Sequence, residues 1–270
     1  MIAALAIAAA VAVAAVVVLH LETNLLGRAP RDGLRVLMYH RVGTPASRAQ
    51  VTPEALDRQI GWLLDHGYAP VSLSRVLASV EEGAALPPRP VLLTFDDGTR
   101  DHFEHLLPVL QRHQVPAGLF VVSSFVGREM EYAGRLTPFL DAAMLGALTR
   151  AGVQIGLHSS THRNFTTLDP LEVEKEIAES FAFFAGHHIP VQPVLAYPFG
   201  AYPRKQLAQR DAFFATLRRS GIHLAFRIGN RVNPLPLATD FEITRIGVRR
   251  TDRLWSFAIK VKKGRRKALA

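Results

Sequence analysis

Leu93-Thr94-Phe95-Asp96-Asp97-Gly98 sets two adjacent carboxylates at the end of an apolar run, Pro90 to Phe95, that stops at a glycine. Such a run reads as a buried strand. Two neighbouring acids at its end are costly unless something uses them. A metal ion can take one, and a proton-transfer role can take the other. Downstream, His158-Ser159-Ser160-Thr161-His162 sets two imidazoles at i and i+4, where both can face one cation.

The strand recurs within a regular pattern. Arg35–Tyr39, Val91–Phe95, Gly118–Val122, Val153–Leu157, Val194–Tyr197 and Ile222–Phe226 read as strands. Helical patterns alternate with them. Thr52-Pro53-Glu54 opens one with an N-cap and a proline in the first turn, and Leu56, Ile60, Leu63 and Leu64 form its apolar face. Arg100–His113 reads as a helix, with Pro108 as a kink. Thr137-Pro138 starts another, running to Arg150. Asp169-Pro170-Leu171-Glu172 is a capping box for a helix to Ala185, and Lys205–Ser220 is the last. This alternation implies an α/β fold with a mainly parallel sheet, open or closed into a barrel. Functional residues in such folds collect at the C-terminal ends of strands. His40, Asp96, Asp97, His158 and Pro198 all fall there.

With 270 residues, 49% hydrophobic and 20% charged, the chain can bury a large core. It has no cysteine, which excludes disulfides, thiolate metal sites and a cysteine nucleophile. Ile2–Leu19 is unbroken and apolar. As a helix it spans about 27 Å at ~1.5 Å per residue, close to a bilayer core. No basic residue precedes it and bulky Val16-Val17-Val18-Leu19 ends it, so an uncleaved transmembrane anchor is expected over a cleaved signal segment. Arg28, Arg31 and Arg35 follow the run and by the positive-inside rule would keep the domain cytoplasmic; the chemistry below points outward. The expected organisation is an anchor or signal segment at 1–21, a linker at 22–32, a catalytic domain at 33–250 and a basic tail at 251–270. The net charge of +9 is concentrated in that tail, with Lys260, Lys262, Lys263, Arg265, Arg266 and Lys267. A solvated tail, or one touching anionic lipid, fits it. Nucleic acid does not, since no aromatic interleaving or binding motif accompanies the charge.

A carboxylate with two imidazoles makes an open site for zinc, or for another divalent ion such as cobalt or nickel. The second carboxylate can serve as general base, and His40, after Leu37-Met38-Tyr39, can supply the acid. Each residue also has a plain reading. Asp97 can cap the Gly98 turn, Asp96 can pair with an arginine, and two histidines four apart are weak evidence alone. His102, His105, His113, His187 and His188 carry no expected role.

Thr94-Phe95-Asp96-Asp97-Gly98 and His158-Ser159-Ser160-Thr161-His162 resemble the first two motifs of the polysaccharide deacetylases, carbohydrate esterase family 4. The resemblance runs from about Val36 to Gly247. It implies a distorted (β/α) barrel that removes acetyl groups from N-acetylated sugars with a divalent metal. By matched position it implies Asp96 as general base and Asp97, His158 and His162 as metal ligands. Ala196-Tyr197-Pro198-Phe199-Gly200 resembles the third motif, so Tyr197, Pro198 and Phe199 are expected at the substrate, with the Phe199 amide on the oxyanion. Leu37-Met38-Tyr39-His40 is similar to the subgroup acting on poly-β-1,6-N-acetylglucosamine, in which an early histidine is the general acid; His40 matches it. Two departures stand out. Ala196 occupies the place of an arginine that usually orients the base. No C-terminal leucine-x-histidine motif is evident beyond Ile222-His223-Leu224. The expectation is a membrane-anchored deacetylase facing outward, or a secreted one if the first segment is cleaved, with a polysaccharide partner. A glycan-binding module on the same fold and a glycosidase using both aspartates are the alternatives.

Overall fold

The computed structural model describes residues 2–23, 33–44 and 49–264, with side chains of the first helix from 4 to 18. The elements in order are α1 (Ile2–Thr23), β1 (Arg35–Tyr39), β2 (Arg41–Val42), β3 (Gln50–Val51), α2 (Pro53–Asp65), β4 (Ala69–Pro70) and α3 (Leu73–Glu81). Then come β5 (Pro90–Phe95), α4 (Leu107–His113), β6 (Ala117–Val121), a hairpin of β7 (Glu129–Tyr132) and β8 (Arg135–Pro138), and α5 (Ala142–Arg150). The chain ends with β9 (Val153–Leu157), α6 (Pro170–Gly186), β10 (Val191–Ala196), α7 (Leu207–Arg219), β11 (Leu224–Ile228), β12 (Ile243–Gly247) and α8 (Leu254–Lys263).

Seven parallel strands close a ring in the order β1-β12-β11-β10-β9-β6-β5, with β5 returning to β1. The expected barrel is therefore present, and it is distorted. Short β4 pairs with the start of β5 at Pro90 and Val91, while β6 pairs only with its end at Thr94 and Phe95. Residues of one parity point inward: Val36, Leu92, Phe120, Val194, Ala196, Phe226 and Ile243 form one buried cluster. Leu73, Val76 and Leu77 of α3 join that cluster. A Cβ on Gly118 would stand 2.7 Å from Leu73, so α3 seats directly on the strands. The opposite parity packs outward, with Leu37, Leu93, Phe95 and Leu119 against Ile60 and Leu63 of α2 and Leu110 of α4.

The helix signals at Thr52 and Asp169 hold. Thr52 Oγ1 accepts the Ala55 amide at 3.1 Å. Asp169 and Glu172 exchange both capping-box bonds, at 2.8 and 3.0 Å. Other expectations change. Thr137 and Pro138 lie in β8, and the following helix starts at Ala142, capped by the Asp141 side chain. Thr137 is fully buried in the hairpin and cannot cap a helix. The stretch read as a Pro108-kinked helix begins as a wide π turn, His102–Leu106, before α4.

The basic tail is largely not a tail. Leu254–Lys263 is a helix whose Phe257 and Val261 are buried. Lys260 is 2% exposed because its ammonium meets Asp252 at 2.6 Å. Among the described residues no helix is long and apolar enough to cross a membrane. The expected linker lies outside the described residues, apart from positions 22 and 23, which end α1.

The interior is crowded. A Cβ on Gly156 would lie 2.6 Å from the Phe120 ring and 2.9 Å from Val194. Gly156→Ala is expected to lower stability by about 1–3 kcal/mol through overpacking, read from urea unfolding; an unchanged midpoint would contradict the packing described.

Candidate functional site

The inward parity that fills the barrel also builds the site. Asp96 continues the inward series of Leu92 and Thr94, His158 follows Gly156, and Arg245 follows Ile243. All three are buried at the C-terminal rim. His40 sits next to Asp96, because Tyr39 and Phe95 are in register and the Asp96 amide donates to the Tyr39 carbonyl at 3.1 Å.

Asp96 and Asp97 have separate partners. Arg245 grips Asp96 with both terminal nitrogens, at 2.6 and 2.8 Å. Burial alone would raise the Asp96 carboxyl, but the charges of Arg245, His158 and His40 outweigh it and hold it at about 2. Arg245 thus does the orienting expected of the position that Ala196 occupies. Sequence reasoning missed it. The signal available was Ile243-Thr244-Arg245-Ile246-Gly247, a short alternating strand with an arginine on the side of its apolar partner.

Asp97 turns away from Asp96, in a left-handed conformation with φ 78°. Gly98 follows at φ 80°, where a Cβ would also press on Val121 at 3.1 Å. This turn carries Asp97 Oδ1 to 3.7 Å from Nε2 of His158 and 3.7 Å from Nε2 of His162. One ligand atom from each of the three lies within 4.8 Å of the others. The donor set fits a divalent cation. The Ala196 carbonyl accepts Nδ1–H of His158 at 2.8 Å, which leaves its Nε2 lone pair facing the gap. Burial, partly opposed by Asp96, pushes His158 down to about 4, and burial with the neighbouring His158 does the same to His162. Both imidazoles are then neutral near pH 7, as ligation requires.

The loop between the histidines is braced from behind. Ser159 and His162 have φ of 65° and 60°, and Ser159 Oγ accepts the His162 amide at 2.9 Å. Buried Glu176 of α6 accepts the Thr161 amide at 2.8 Å and also its hydroxyl. From the β7–β8 hairpin, Tyr132 donates to Asp97 Oδ1 at 3.2 Å, and its ring stands edge-on to His162. Neither Glu176 nor Tyr132 had a local signal, since only the tertiary fold brings them here.

Phe199 is at φ 58°, 63% exposed, with its ring 4.7 Å from that of His162. Pro198 is buried in the same tight turn. Tyr197 departs from expectation. Its side chain is fully buried, stacks on Tyr202, and donates its hydroxyl to the Phe241 carbonyl at 3.0 Å. It anchors the turn from the core and cannot touch substrate. His102, given no role from sequence, is fully buried and donates Nε2–H to the His40 carbonyl. His223 is exposed at the start of β11, the opposite end of the barrel, paired with Glu81.

Arg245→Met is expected to destabilise the fold by about 3–5 kcal/mol, because it strands a buried carboxylate. Adding Asp96→Asn is expected to recover most of that loss in urea unfolding, and strict additivity of the two would contradict the pairing. The chelated protein is expected to lose stability on acidification. The folded imidazoles titrate near 4 and unfolded ones near 6.5, so the unfolded chain binds protons first. The contribution is complete above about pH 6.5 and is lost as pH falls toward 4, by up to about 3 kcal/mol for His158. His158→Gln should flatten that part of a pH–unfolding profile.

Residues 83–214 match the sequence profile of the family described as polysaccharide deacetylase. The Bacillus subtilis (strain 168) protein YxkH is 24% identical over 174 residues, 64% of this chain and 59% of its own length. The poly-β-1,6-N-acetyl-D-glucosamine N-deacetylase of Escherichia coli (strain K12) is 35% identical over 100 residues, 36% of this chain and 15% of that enzyme. The chain thus spans less than two thirds of either relative. Among solved structures, the Streptococcus pyogenes deacetylase PplD, in complex with acetate, superposes with a TM-score of 0.73 at 18% identity. That match covers 86% of this chain and 99% of PplD, and shares the fold. Residues 83–214, which hold Asp96, Asp97, His158, His162 and the Pro198 turn, are thus a polysaccharide deacetylase domain.

Proposed function

We propose that this protein hydrolyses the acetamide groups of an N-acetylhexosamine polymer, releasing acetate and leaving a free amine on the sugar. The observation that carries this reading is the division of the two adjacent carboxylates, Asp96 locked to Arg245 and Asp97 turned to two imidazoles. Asp97, His158 and His162 would hold the cation, with zinc, cobalt or nickel all compatible with one oxygen and two nitrogens. Bound there, a cation polarises the acetamide carbonyl and acidifies water enough for a base as weak as Asp96.

Asp96 then takes the proton of the attacking water, and Arg245 keeps the carboxylate ionised and aimed. The Phe199 amide donates to the oxyanion as the carbonyl carbon becomes tetrahedral. His40 delivers a proton to the departing nitrogen as the carbon–nitrogen bond breaks. Water is thereby split between acetate and amine, and atoms balance. A glycosidase reading loses its support, because a carboxyl held near 2 by a bidentate arginine is no proton donor near neutral pH.

The name of the Escherichia coli relative supports a β-1,6-linked polymer as the first substrate to try. Our reading also puts the domain outside the cytoplasmic membrane, where such polymers lie, with α1 as tether. Its support is the apolar sequence Ile2–Leu19 and the exposure of Leu5, Ile7, Val11 and Val13.

Acetate release from N-acetylglucosamine oligomers of β-1,4 and β-1,6 linkage tests the reaction, with added zinc, cobalt or nickel and with a chelator. Release is expected with metal and is expected to stop on chelation. Asp96→Asn should lower it ~10²-fold or more, and His158→Ala should behave likewise. Full activity in either variant would sink the reading. Oligomer binding with no acetate release would point instead to a glycan-binding module.

A further inference from the structure

Beyond Phe199 the rim opens into a cleft of about 830 Å³ between the start of α6 and α7. That volume is ample for a ligand of several rings. Its floor is apolar, with Val173, Tyr202 and Phe213 buried beneath it. Its mouth carries Arg204, Lys205, Gln206 and Gln209. Phe199 lines this cleft and at the same time stands against His162, so cleft and candidate site share a wall. The carboxylate behind the floor, Glu242, is engaged by the Tyr202 hydroxyl and lies 3.9 Å from Arg210. Asp211 is paired with Arg210 at 3.0 Å. Those two carboxylates share one guanidinium, so Arg204 and Lys205 are what leave the mouth with a net positive charge.

The reaction proposed above changes the charge of its own substrate. Each acetamide removed leaves an amine that can carry a positive charge, where the acetamide carried none. We infer that this cleft receives the neighbouring sugars of the polymer, and that Arg204 and Lys205 admit them acetylated and uncharged but disfavour them as glucosammonium. The inference rests on the deacetylase reading. Its consequence is spaced deacetylation: a sugar beside a converted one becomes a poorer substrate, and the product keeps acetylated stretches between free amines. The apolar floor suits the acetyl methyl and the faces of sugar rings, and the exposed Phe199 ring offers a stacking surface at the junction.

The size of the effect follows from screened charge repulsion. A unit charge ~8 Å from another in water changes an equilibrium about two- to threefold. Two such cations then give roughly fivefold discrimination at low ionic strength, fading as salt shortens the Debye length. Arg204 and Lys205 are exposed and outside the proposed reaction machinery, so their replacement should leave the fold and the rate on a fully acetylated substrate intact.

The test uses the full chain, metal-loaded, and synthetic N-acetylglucosamine tetramers. One tetramer is fully acetylated, and others carry a single free amine at each neighbouring position. Acetate release gives rates, and mass spectrometry gives the product pattern. The native protein is expected to prefer the fully acetylated tetramer about fivefold at low salt. The Arg204→Ser/Lys205→Ser variant and high salt are each expected to bring that preference close to unity. Ala212→Trp, which fills the cleft, should slow tetramers while sparing the dimer. Equal native rates on all tetramers would overturn the inference and leave the deacetylase reading standing, as would a preference that survives the double variant. No acetate from any oligomer would overturn both.

Discussion

The ion pair between Arg245 and Asp96 spans the barrel interior at its C-terminal rim. It joins β12 to β5, the two strands that flank β1 where the ring closes. Both partners are removed from water, so each depends on the other. A lone buried carboxylate there would be protonated or hydrated, and a lone guanidinium would be stranded over the Phe120 ring it caps at 5.4 Å. Because the pair is satisfied, Asp96 is fixed in rotamer and charge. Asp97, one residue on, is left to the histidines.

The rest of the site is held in backbone conformations that side-chain-bearing residues rarely adopt. Asp97, Ser159, His162 and Phe199 all have positive φ. Each such residue costs about 1–3 kcal/mol and persists only where packing over-determines it. The restraints are visible. Gly98 lets the Asp97 turn pass beside Val121, Glu176 and Ser159 hold the histidine loop, and the buried Tyr197 ring pins the Phe199 turn. The strain lies at the strand ends, while the interior below is closely packed.

Much of this was legible in the sequence. Strands such as Val91–Phe95 and Val153–Leu157 are nearly continuous apolar runs, because parallel strands in a covered barrel are buried on both faces. Asp96, Asp97, His158 and His162 stood out because acids and imidazoles at strand ends need a reason. Arg245 did not, since β12 is short and its Thr244 and Arg245 read as polar. Tyr132 sits between Glu131 and Ala133 on a polar hairpin and reaches Asp97 only through the fold. Thr137-Pro138 carried a helix-start signal that its burial in the hairpin overrode. α8 read as a tail because Lys260, Lys262 and Lys263 open a basic run, although Phe257 and Val261, four apart, form the buried stripe.

Cobalt binding by the metal-free protein tests the central claim most directly, because the visible spectrum of bound cobalt reports ligand number and type apart from any activity. One equivalent per chain is expected, with absorption typical of a four- or five-coordinate nitrogen–oxygen site. That signal should be lost in His158→Ala and kept, with altered intensity, in Asp96→Asn. Stoichiometric binding that survives replacement of both His158 and His162, or no binding by the folded native chain, would contradict the site described.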